Sequence, residues 1–285
     1  MATRKMDGVN RKADMPMRAR SIVLADNDPL ILEAIGELLR NKDYEVHPAR
    51  DGLEALRAIR AVKPDVVILD IVMPKLDGSR VCAMIRHDAS LRHTPVIALS
   101  SLSPEQIRRF PALSADAYVA KGPLGVMANN VLAAIKHVDE RGRGDLGGGI
   151  FGYEGFRPRQ LVSEMLAARR HWETLVRMFT QGVVELDPDG LILMANAEAS
   201  RLLGKQESRL IAEPLASFFL PEDRQVIEGR LADFRANRPA GACRLVAALG
   251  GRQVIVGLAP AVEEGQCAGV LVTLEAARPE EGRRA

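Results

Sequence analysis

The chain has 285 residues, of which 47% are hydrophobic and 27% are charged; this composition is typical of folded soluble domains and excludes a disordered or collagenous chain. The net charge of +2 and three cysteines without CxxC spacing favour neither nucleic-acid binding nor a disulfide framework or zinc site. The basic stretch 1–20 contains no apolar signal segment, so we expect it to be disordered and the protein to be cytoplasmic, without membrane association.

Residues 21–140 alternate short apolar runs with amphipathic segments. The apolar runs include SIVLA, VVIL, VIAL and AYVA, and helix-forming segments such as PLILEAIGELLR lie between them. This alternation is typical of βα units on a parallel sheet, and it predicts five strands and five helices. The glycine-rich stretch 141–158 that follows is predicted to be a flexible linker.

Apolar residues recur at heptad spacing in 159–181, which predicts a linker helix. Two interpretations remain open: the helix pairs with a second copy as a coiled coil, which would make a homodimer, or it packs on its own domain. The residues at the heptad positions are Leu161, Met165, Ala168, Trp172, Leu175 and Phe179.

Residues 182–275 begin with two apolar segments around the turn sequence Asp-Pro-Asp-Gly, followed by short helical segments and three β-rich segments. The pattern predicts an α+β domain with an antiparallel sheet. The charged tail 276–285 is predicted to be disordered.

Four reactive side chains stand at the ends of predicted strands: Asp26, Asp70, Ser100 and Lys121. Because ligands bind at the carboxyl ends of parallel strands, we expect these side chains to converge at that edge of the sheet. Two carboxylates attract a hard cation such as Mg²⁺, and a lysine and a hydroxyl can hold phosphoryl oxygens. The stretch GRGDLGGG lacks the Lys-Ser/Thr of a phosphate-binding loop, so ATP is not the expected phosphoryl donor.

The segments ADNDP, VVILDIVMPKLDG, PVIALS and ADAYVAKG have the order and spacing found in the receiver domain of two-component response regulators, which residues 21–140 resemble. The resemblance implies a doubly wound, flavodoxin-like (βα)₅ fold. It also implies a phosphoprotein of a phosphorelay, in which Asp70 accepts a phosphoryl group from a phosphohistidine on a partner histidine kinase or phosphotransfer protein.

The same resemblance implies roles for the residues around Asp70. Ser100 and Lys121 would contact the phosphoryl group, and Tyr118 would be the aromatic residue whose side-chain conformation is coupled to the Ser100 loop. For Tyr118, core packing is an equally good explanation of a tyrosine in a final strand. The Mg²⁺ ion would be held by Asp26, Asn27, Asp70 and the Val72 carbonyl.

Two positions depart from the family pattern. Asn27 stands where the second acidic residue usually is, and because an amide carries no charge we expect weaker Mg²⁺ binding; Asp28 could contribute only if the loop shifted register. Gly122 replaces the proline that usually follows the lysine in a cis peptide. A trans Lys121–Gly122 bond is expected, because a cis bond before a residue other than proline costs about 2.5 to 4 kcal/mol.

Residues 182–275 resemble a PAS domain in the hairpin, in Asn196 after the second strand and in the Leu-Leu-Gly at 202–204. Asn196 is predicted to cap a helix. All five histidines precede residue 172, and Cys243 and Cys267 lie in predicted strands, so neither haem nor flavin is expected. The sequence leaves open whether this domain binds a small ligand or acts as a docking surface.

Together the two resemblances imply a phosphorylation-controlled signalling protein that acts through protein contacts of its PAS domain, without a DNA-binding output domain. It would not be an enzyme, beyond slow autophosphorylation and autodephosphorylation. Two alternatives remain open. One is a pseudo-receiver and PAS scaffold or ligand sensor that is not phosphorylated, and the other is a phosphatase or phosphotransferase that uses the same carboxylates.

Overall fold

The computed structural model describes residues 19–108, 114–141, 149–154, 160–238 and 241–277. Parts of three expected segments therefore lie outside the described residues: 1–18 of the basic stretch, 142–148 and 155–159 of the glycine-rich linker, and 278–285 of the tail. Within the part that is described, no helix is both long and apolar enough to cross a bilayer.

The first domain is built on a parallel sheet, whose strands in the described residues follow the order β2-β1-β3-β4-β5-β6. The strand order reverses at β1, with β2 on one side of it and β3 to β6 following on the other side. Strands β1, β3 and β4 are buried along their whole length. The strands are β1 (Ser21–Ala25), β2 (Glu45–Ala49), β3 (Val66–Asp70), β4 (Val96–Ser100), β5 (Ala117–Ala120) and β6 (Gly149–Phe151).

Helices cover both faces of this sheet, because successive strand residues point to opposite sides. Ile22 and Leu24 of β1 pack with α1 and α5, whereas Val23 and Ala25 pack with α2 and α3. The doubly wound fold expected from the sequence is thereby confirmed. The helices are α1 (Pro29–Arg40), α2 (Gly52–Val62), α3 (Gly78–His87), α4 (Pro104–Arg108) and α5 (Leu124–Arg141).

Aspartates fix the loops at the carboxyl edge of the sheet by capping the helices that follow. Asp28 accepts a hydrogen bond from the Leu30 N–H at 2.9 Å, and Asp77 accepts one from the Arg80 N–H at 2.9 Å. Gly78 begins α3 so close to β3 that a Cβ atom there would lie 2.1 Å from the Asp70 carbonyl oxygen. Only glycine therefore permits this approach of α3 to the end of β3.

Strand β6 lies inside the segment that we expected to be a flexible linker. It pairs in parallel with β5, with Ile150 opposite Tyr118 and Phe151 opposite Val119. The Phe151 ring meets the His137 ring of α5 edge-on, with centroids 5.5 Å apart. Because Phe151 buries apolar surface against α5, this short piece of the glycine-rich stretch is ordered on the sheet.

Helix α6 (Gln160–Arg177) connects the two domains. Leu166 and Val176 are buried, so the helix packs on its own chain through the face that carries them. The large described heptad side chains within the helix are nevertheless exposed, and Phe179 lies beyond its last residue; the Leu161 side chain is outside the described residues. The exposed fractions are 53% for Met165, 45% for Trp172, 42% for Leu175 and 56% for Phe179.

The second domain is α+β, as expected, with an antiparallel sheet in the order β8-β7-β11-β10-β9. Asn196 caps its first helix by accepting a hydrogen bond from the Ala199 N–H at 2.9 Å, which confirms that prediction. Its elements are β7 (Gly182–Leu186), β8 (Ile192–Ala195), α7 (Ala197–Leu203), α8 (Glu207–Leu210), a 3₁₀ turn (Leu215–Phe218), α9 (Pro221–Arg235), β9 (Cys243–Leu249), β10 (Arg252–Glu263) and β11 (Gln266–Ala276).

The Asn196 side chain also joins the end of α6 to this domain. Its amide nitrogen donates to the Gln181 carbonyl at 2.8 Å and to the Val176 carbonyl at 3.3 Å, while its oxygen also accepts from the Val183 N–H at 2.9 Å. The donors and the acceptor of this buried amide are therefore all used.

Candidate functional site

The four strand-end residues predicted from the sequence lie at one edge of the parallel sheet. Asp26 follows β1 and Asp70 ends the neighbouring β3, and both are buried, with exposed fractions of 0% and 3%. The Lys121 ammonium, which follows β5, lies 2.8 Å from Asp26 Oδ2 and 2.7 Å from Asp70 Oδ2. One cation thus links two carboxylates that would otherwise repel each other.

Backbone donors orient the second oxygen of each carboxylate. The Val72 N–H donates to Asp70 Oδ1 at 3.1 Å, and the Asp28 N–H donates to Asp26 Oδ1 at 2.9 Å. Each carboxylate is therefore held between the backbone of its own loop and the Lys121 ammonium. The two groups are set in place by the loops rather than by flexible surface contacts.

Burial raises the pKa of Asp70 from its ordinary value of 3.8 to about 6. Lys121 lowers this pKa by its charge and hydrogen bond, and Asp26 raises it as a neighbouring like charge. Near neutral pH the Asp70 carboxyl is consequently ionised, but it is more basic than an exposed aspartate. A more basic carboxylate is the better nucleophile for an electrophilic phosphorus.

The loop after β1 supplies an amide where a third carboxylate could stand. Asn27 is exposed, and the Asp28 carboxylate is engaged as the cap of α1. Among the described residues no group of three or more His, Cys, Asp or Glu side chains is placed to hold a metal ion. Two carboxylates, an amide oxygen and a backbone carbonyl still suit a hard divalent cation, with less ligand charge than three carboxylates would give.

Ser100 ends the strand next to that of Asp70, and Tyr118 lies in the following strand β5. Ser100 ends β4 with no exposed surface; its Oγ accepts from the Leu102 N–H at 3.0 Å, and its carbonyl accepts from the Lys121 N–H at 2.8 Å. Tyr118 is 7% exposed and packs in an apolar cluster with Ile71 and Leu102. Burial raises the pKa of Tyr118 to about 12.

The Lys121–Gly122 bond is trans, as expected with glycine in the place of proline.

Sequence reasoning missed two residues that join the Tyr118 cluster from beyond the first domain, Tyr153 and Leu166. Burial raises the pKa of Tyr153 to about 12. Contact of its hydroxyl with the Ser100 side chain has the opposite effect on this pKa, but a smaller one. The apolar sequence Ile150-Phe151 close to Tyr153 could have indicated that this segment packs on the first domain, because such residues are unusual in a solvated linker.

Sequence reasoning also missed the contacts that hold the loop between β3 and α3. The Lys75 ammonium lies 3.0 Å from Asp51 Oδ2 and 3.8 Å from Asp187 Oδ2 of the second domain. Arg169 of α6 donates to the Lys75 carbonyl at 3.2 Å, and its Nε lies 3.3 Å from Asp77 Oδ2. The loop that follows Asp70 is therefore in direct contact with both α6 and the second domain.

Further charged contacts connect the two domains behind this loop. Arg60 of α2 donates to the Ile211 carbonyl at 2.9 Å, and burial lowers the pKa of this arginine. Arg80 of α3 lies 3.2 Å from Glu207 and 3.6 Å from Glu173. A cavity of about 700 Å³ lies between α3, α6 and α8, and Arg80, Glu173 and Glu207 are among the charged side chains that line it.

Comparison with known families assigns both domains. Residues 22–129 match the response regulator receiver domain, and residues 170–275 match the PAS fold. The polar-differentiation response regulator DivK of Brucella anthropi is 32% identical over 111 residues, which are 38% of this chain and 87% of DivK. The chain belongs to the response regulator family and carries a receiver domain followed by a PAS domain.

Other relatives share the first domain. A gliding motility regulatory protein of Myxococcus xanthus is 38% identical over 106 residues, which are 37% of this chain but only 14% of that protein. Among solved structures, the chemotaxis response regulator CheY4 of Vibrio cholerae is 25% identical, with a TM-score of 0.39 over 41% of this chain and 98% of that one. The phosphorylated cyanobacterial phytochrome response regulator RcpA is 29% identical, with a TM-score of 0.38 over 42% and 93% of the two chains.

The raised pKa of Asp70 predicts a pH-dependent effect of Asp70→Asn on stability. A carboxyl whose pKa is raised by folding binds its proton more tightly in the folded state than in the unfolded state. The free energy of unfolding therefore falls as the pH rises from the unfolded-state pKa near 4 through the folded-state pKa of about 6. In EDTA, Asp70→Asn should therefore stabilise the protein above about pH 6, by up to about 3 kcal/mol, and should have little effect near pH 4.

The measurement is the thermal unfolding midpoint in EDTA between pH 4 and pH 8. Asp43→Asn, at an exposed position, is the matched control and should show no such difference. A midpoint for Asp70→Asn that follows the native protein at every pH would show that the Asp70 carboxylate is not destabilised by burial.

Proposed function

We propose that the protein is a phosphorylation-controlled response regulator in which Asp70 accepts a phosphoryl group from a phosphohistidine of a partner histidine kinase or phosphotransfer protein. In this proposal the receiver domain spans 21–140 and the PAS domain 182–275, and the PAS domain carries the signal by protein contact. The observation that supports it most directly is the Lys121 ammonium within 2.8 Å of both Asp26 and Asp70.

In the proposed reaction an Asp70 oxygen attacks phosphorus. The P–N bond of the phosphohistidine breaks, a P–O bond forms, and the imidazole nitrogen keeps the electron pair and takes up a proton. Lys121 and the Ser100 hydroxyl donate to phosphoryl oxygens, and the Val72 N–H holds the carboxylate in the attacking orientation. The acyl phosphate that results is the signalling state.

A divalent cation suits this chemistry because two buried carboxylates and an incoming phosphoryl group concentrate negative charge. Asp26, Asp70, the Asn27 amide oxygen and the Val72 carbonyl would hold Mg²⁺, which would neutralise the phosphoryl oxygens. Lys121 supplies a second positive charge at the same carboxylates, which supports phosphoryl transfer even with a weakly held ion.

Exposed apolar side chains surround the site and support a protein as phosphodonor. Leu30 is 64% exposed at the start of α1, and Leu124 and Val126 are 41% and 55% exposed at the start of α5. Both helices begin at the edge of the sheet that carries Asp70. Exposed apolar residues grouped around a reactive site are typical of a surface that binds another protein.

The contacts between the domains support an output through the PAS domain. Lys75 and Arg169 connect the loop after Asp70 to the PAS domain and to α6, so a change in that loop has a direct route to both. The expected lack of enzymatic turnover, of nucleic-acid and membrane partners and of haem or flavin, and the expected cytoplasmic location, stay predictions.

A pseudo-receiver scaffold is the second candidate function, and one observation favours it. Asn27 brings no charge to the metal site, and Asp28 is committed to capping α1, so the loop does not supply a third carboxylate. On this alternative the receiver fold serves only to hold the PAS domain and α6.

The exposed heptad face of α6 supports a homodimer formed through this helix. The large heptad side chains within the helix, Met165, Trp172 and Leu175, are 42% to 53% exposed, and their spacing fits a second copy of the same helix. Packing on its own chain uses Leu166 and Val176 and leaves the large heptad side chains exposed, so the two interpretations of the heptad pattern do not exclude each other.

Phosphorylation is tested by incubating the protein with Mg²⁺ and a small-molecule phosphodonor. Intact mass should rise by one phosphoryl group in the native chain and should not change in Asp70→Asn, because that amide is not a nucleophile. Circular dichroism confirms that both proteins are folded. A folded native chain without mass gain would favour the pseudo-receiver, and repeated turnover of the donor would favour a phosphatase.

Asn27→Asp should tighten Mg²⁺ binding at least several-fold, because the change adds ligand charge for a hard cation. Isothermal titration of the native chain and the variant measures this directly. Asn41→Asp, at the opposite end of α1, adds the same charge far from the site and serves as the matched control. Equal affinities for Asn27→Asp and the native chain would contradict the metal assignment.

The double substitution Trp172→Glu and Leu175→Glu should convert a dimer into a monomer, because it places charges on the heptad face. Sedimentation equilibrium gives the mass in solution. Val226→Glu on α9, where the native side chain is 53% exposed, should leave the dimer intact. A native chain that sediments as a monomer would rule out the α6 dimer.

A further inference from the structure

Strand β6 occupies the edge of the receiver sheet beside the residues that surround Asp70. Without it β5 would be the last strand, with its backbone groups unpaired along one side. The pairing of Tyr118 with Ile150 and of Val119 with Phe151 covers that side. The segment after α5 is therefore held against the strand that leads to Lys121.

Two glycines show that the fit of this segment is close. A Cβ at Gly149 would lie 2.8 Å from the His137 ring, and one at Gly152 would lie 2.3 Å from the Asn130 side chain. Gly152 also has a φ of +76°, which glycine adopts without the strain that other residues incur. This left-handed turn ends β6 and directs the next residue, Tyr153, toward the sheet.

The Tyr153 ring packs against the cluster that contains Tyr118, Ile107 and Ile71. Its hydroxyl is buried and contacts the side chain of Ser100. Ser100 Oγ also accepts from the Leu102 N–H, so the hydroxyl is held by its own loop and by the linker segment. Ser100 is the residue that, in the proposed function, donates to the phosphoryl group.

In the unphosphorylated protein the Ser100 side chain is thus engaged by its own loop and by Tyr153. We propose that Tyr153 is a positioning residue that holds Ser100 in the unphosphorylated arrangement, so that β6 and Tyr153 form a strap released when Asp70 is phosphorylated. This inference rests on the proposed function and deepens it, because it identifies the segment through which the phosphorylation state reaches α6.

Tyr153→Phe tests the role of the hydroxyl while it keeps the ring in the cluster. Loss of this buried polar contact in the unphosphorylated state should favour the phosphorylated state about three- to tenfold. The readout is the affinity for beryllofluoride in the presence of Mg²⁺, since this phosphoryl mimic binds Asp70 at equilibrium. Tyr44→Phe, in the apolar cluster on the α1 and α5 side of the sheet, is the matched control and should leave the affinity unchanged.

The dependence on Ser100 separates a positioning role from a purely structural one. In a Ser100→Ala background, Tyr153→Phe should no longer change beryllofluoride affinity, because the contact it removes is already lost. An equal gain in both backgrounds would contradict the proposal, as would an unchanged affinity in the native background.

Hydrogen exchange of a peptide covering residues 149–154 gives a second measurement on the full native chain. Exchange of these amides should become faster when beryllofluoride and Mg²⁺ are added, because the strap leaves β5. Unchanged exchange would overturn the proposal. A native chain that takes up no phosphoryl group would refute the proposed function and the strap together, whereas normal labelling with no effect of Tyr153→Phe would refute the strap alone.

Discussion

One ammonium group shared by two buried carboxylates is the interaction on which the receiver domain depends. Asp26 and Asp70 end neighbouring parallel strands, so the sheet brings them together whether or not their charges repel. Lys121, contributed by a third strand, offsets one of the two charges, which leaves the ionised pair with a single net negative charge. Burial of the Asp70 carboxylate is the main cause of its raised pKa, and the neighbouring Asp26 charge adds to it.

The sequence was sufficient to predict this part of the structure, because parallel strands impose a simple rule on their ends. Once the apolar runs were identified, Asp26, Asp70, Ser100 and Lys121 had to lie along one edge. The order of helices and strands through α5, and the hairpin and later strands of the second domain, followed from apolar periodicity together with turn residues such as Asp-Pro-Asp-Gly. The capping role of Asn196 was equally predictable, since it depends on the residues next to it in the chain.

The rest could not be predicted because it depends on partners distant in the chain. Three residues of β6 carry too short a pattern to indicate a strand, and only the edge of β5 and the His137 ring make it one. The heptad spacing predicted α6 but not which of its faces packs on the chain. The contacts of Arg60 and Lys75 join charged residues that look like ordinary surface residues in the sequence.

The two attachments of α6 also define how the helix can move. Leu166 is fixed in the cluster around Tyr118, and the backbone at Val176 is fixed by the Asn196 amide. Ten residues of helix, about 15 Å, separate these points and behave as a stiff rod. Sliding or twisting of that rod would break the buried Asn196 hydrogen bonds, whereas tilting about them would not. A small displacement at the receiver end of α6 would thus change the angle between this helix and the PAS domain, with Asn196 as the pivot.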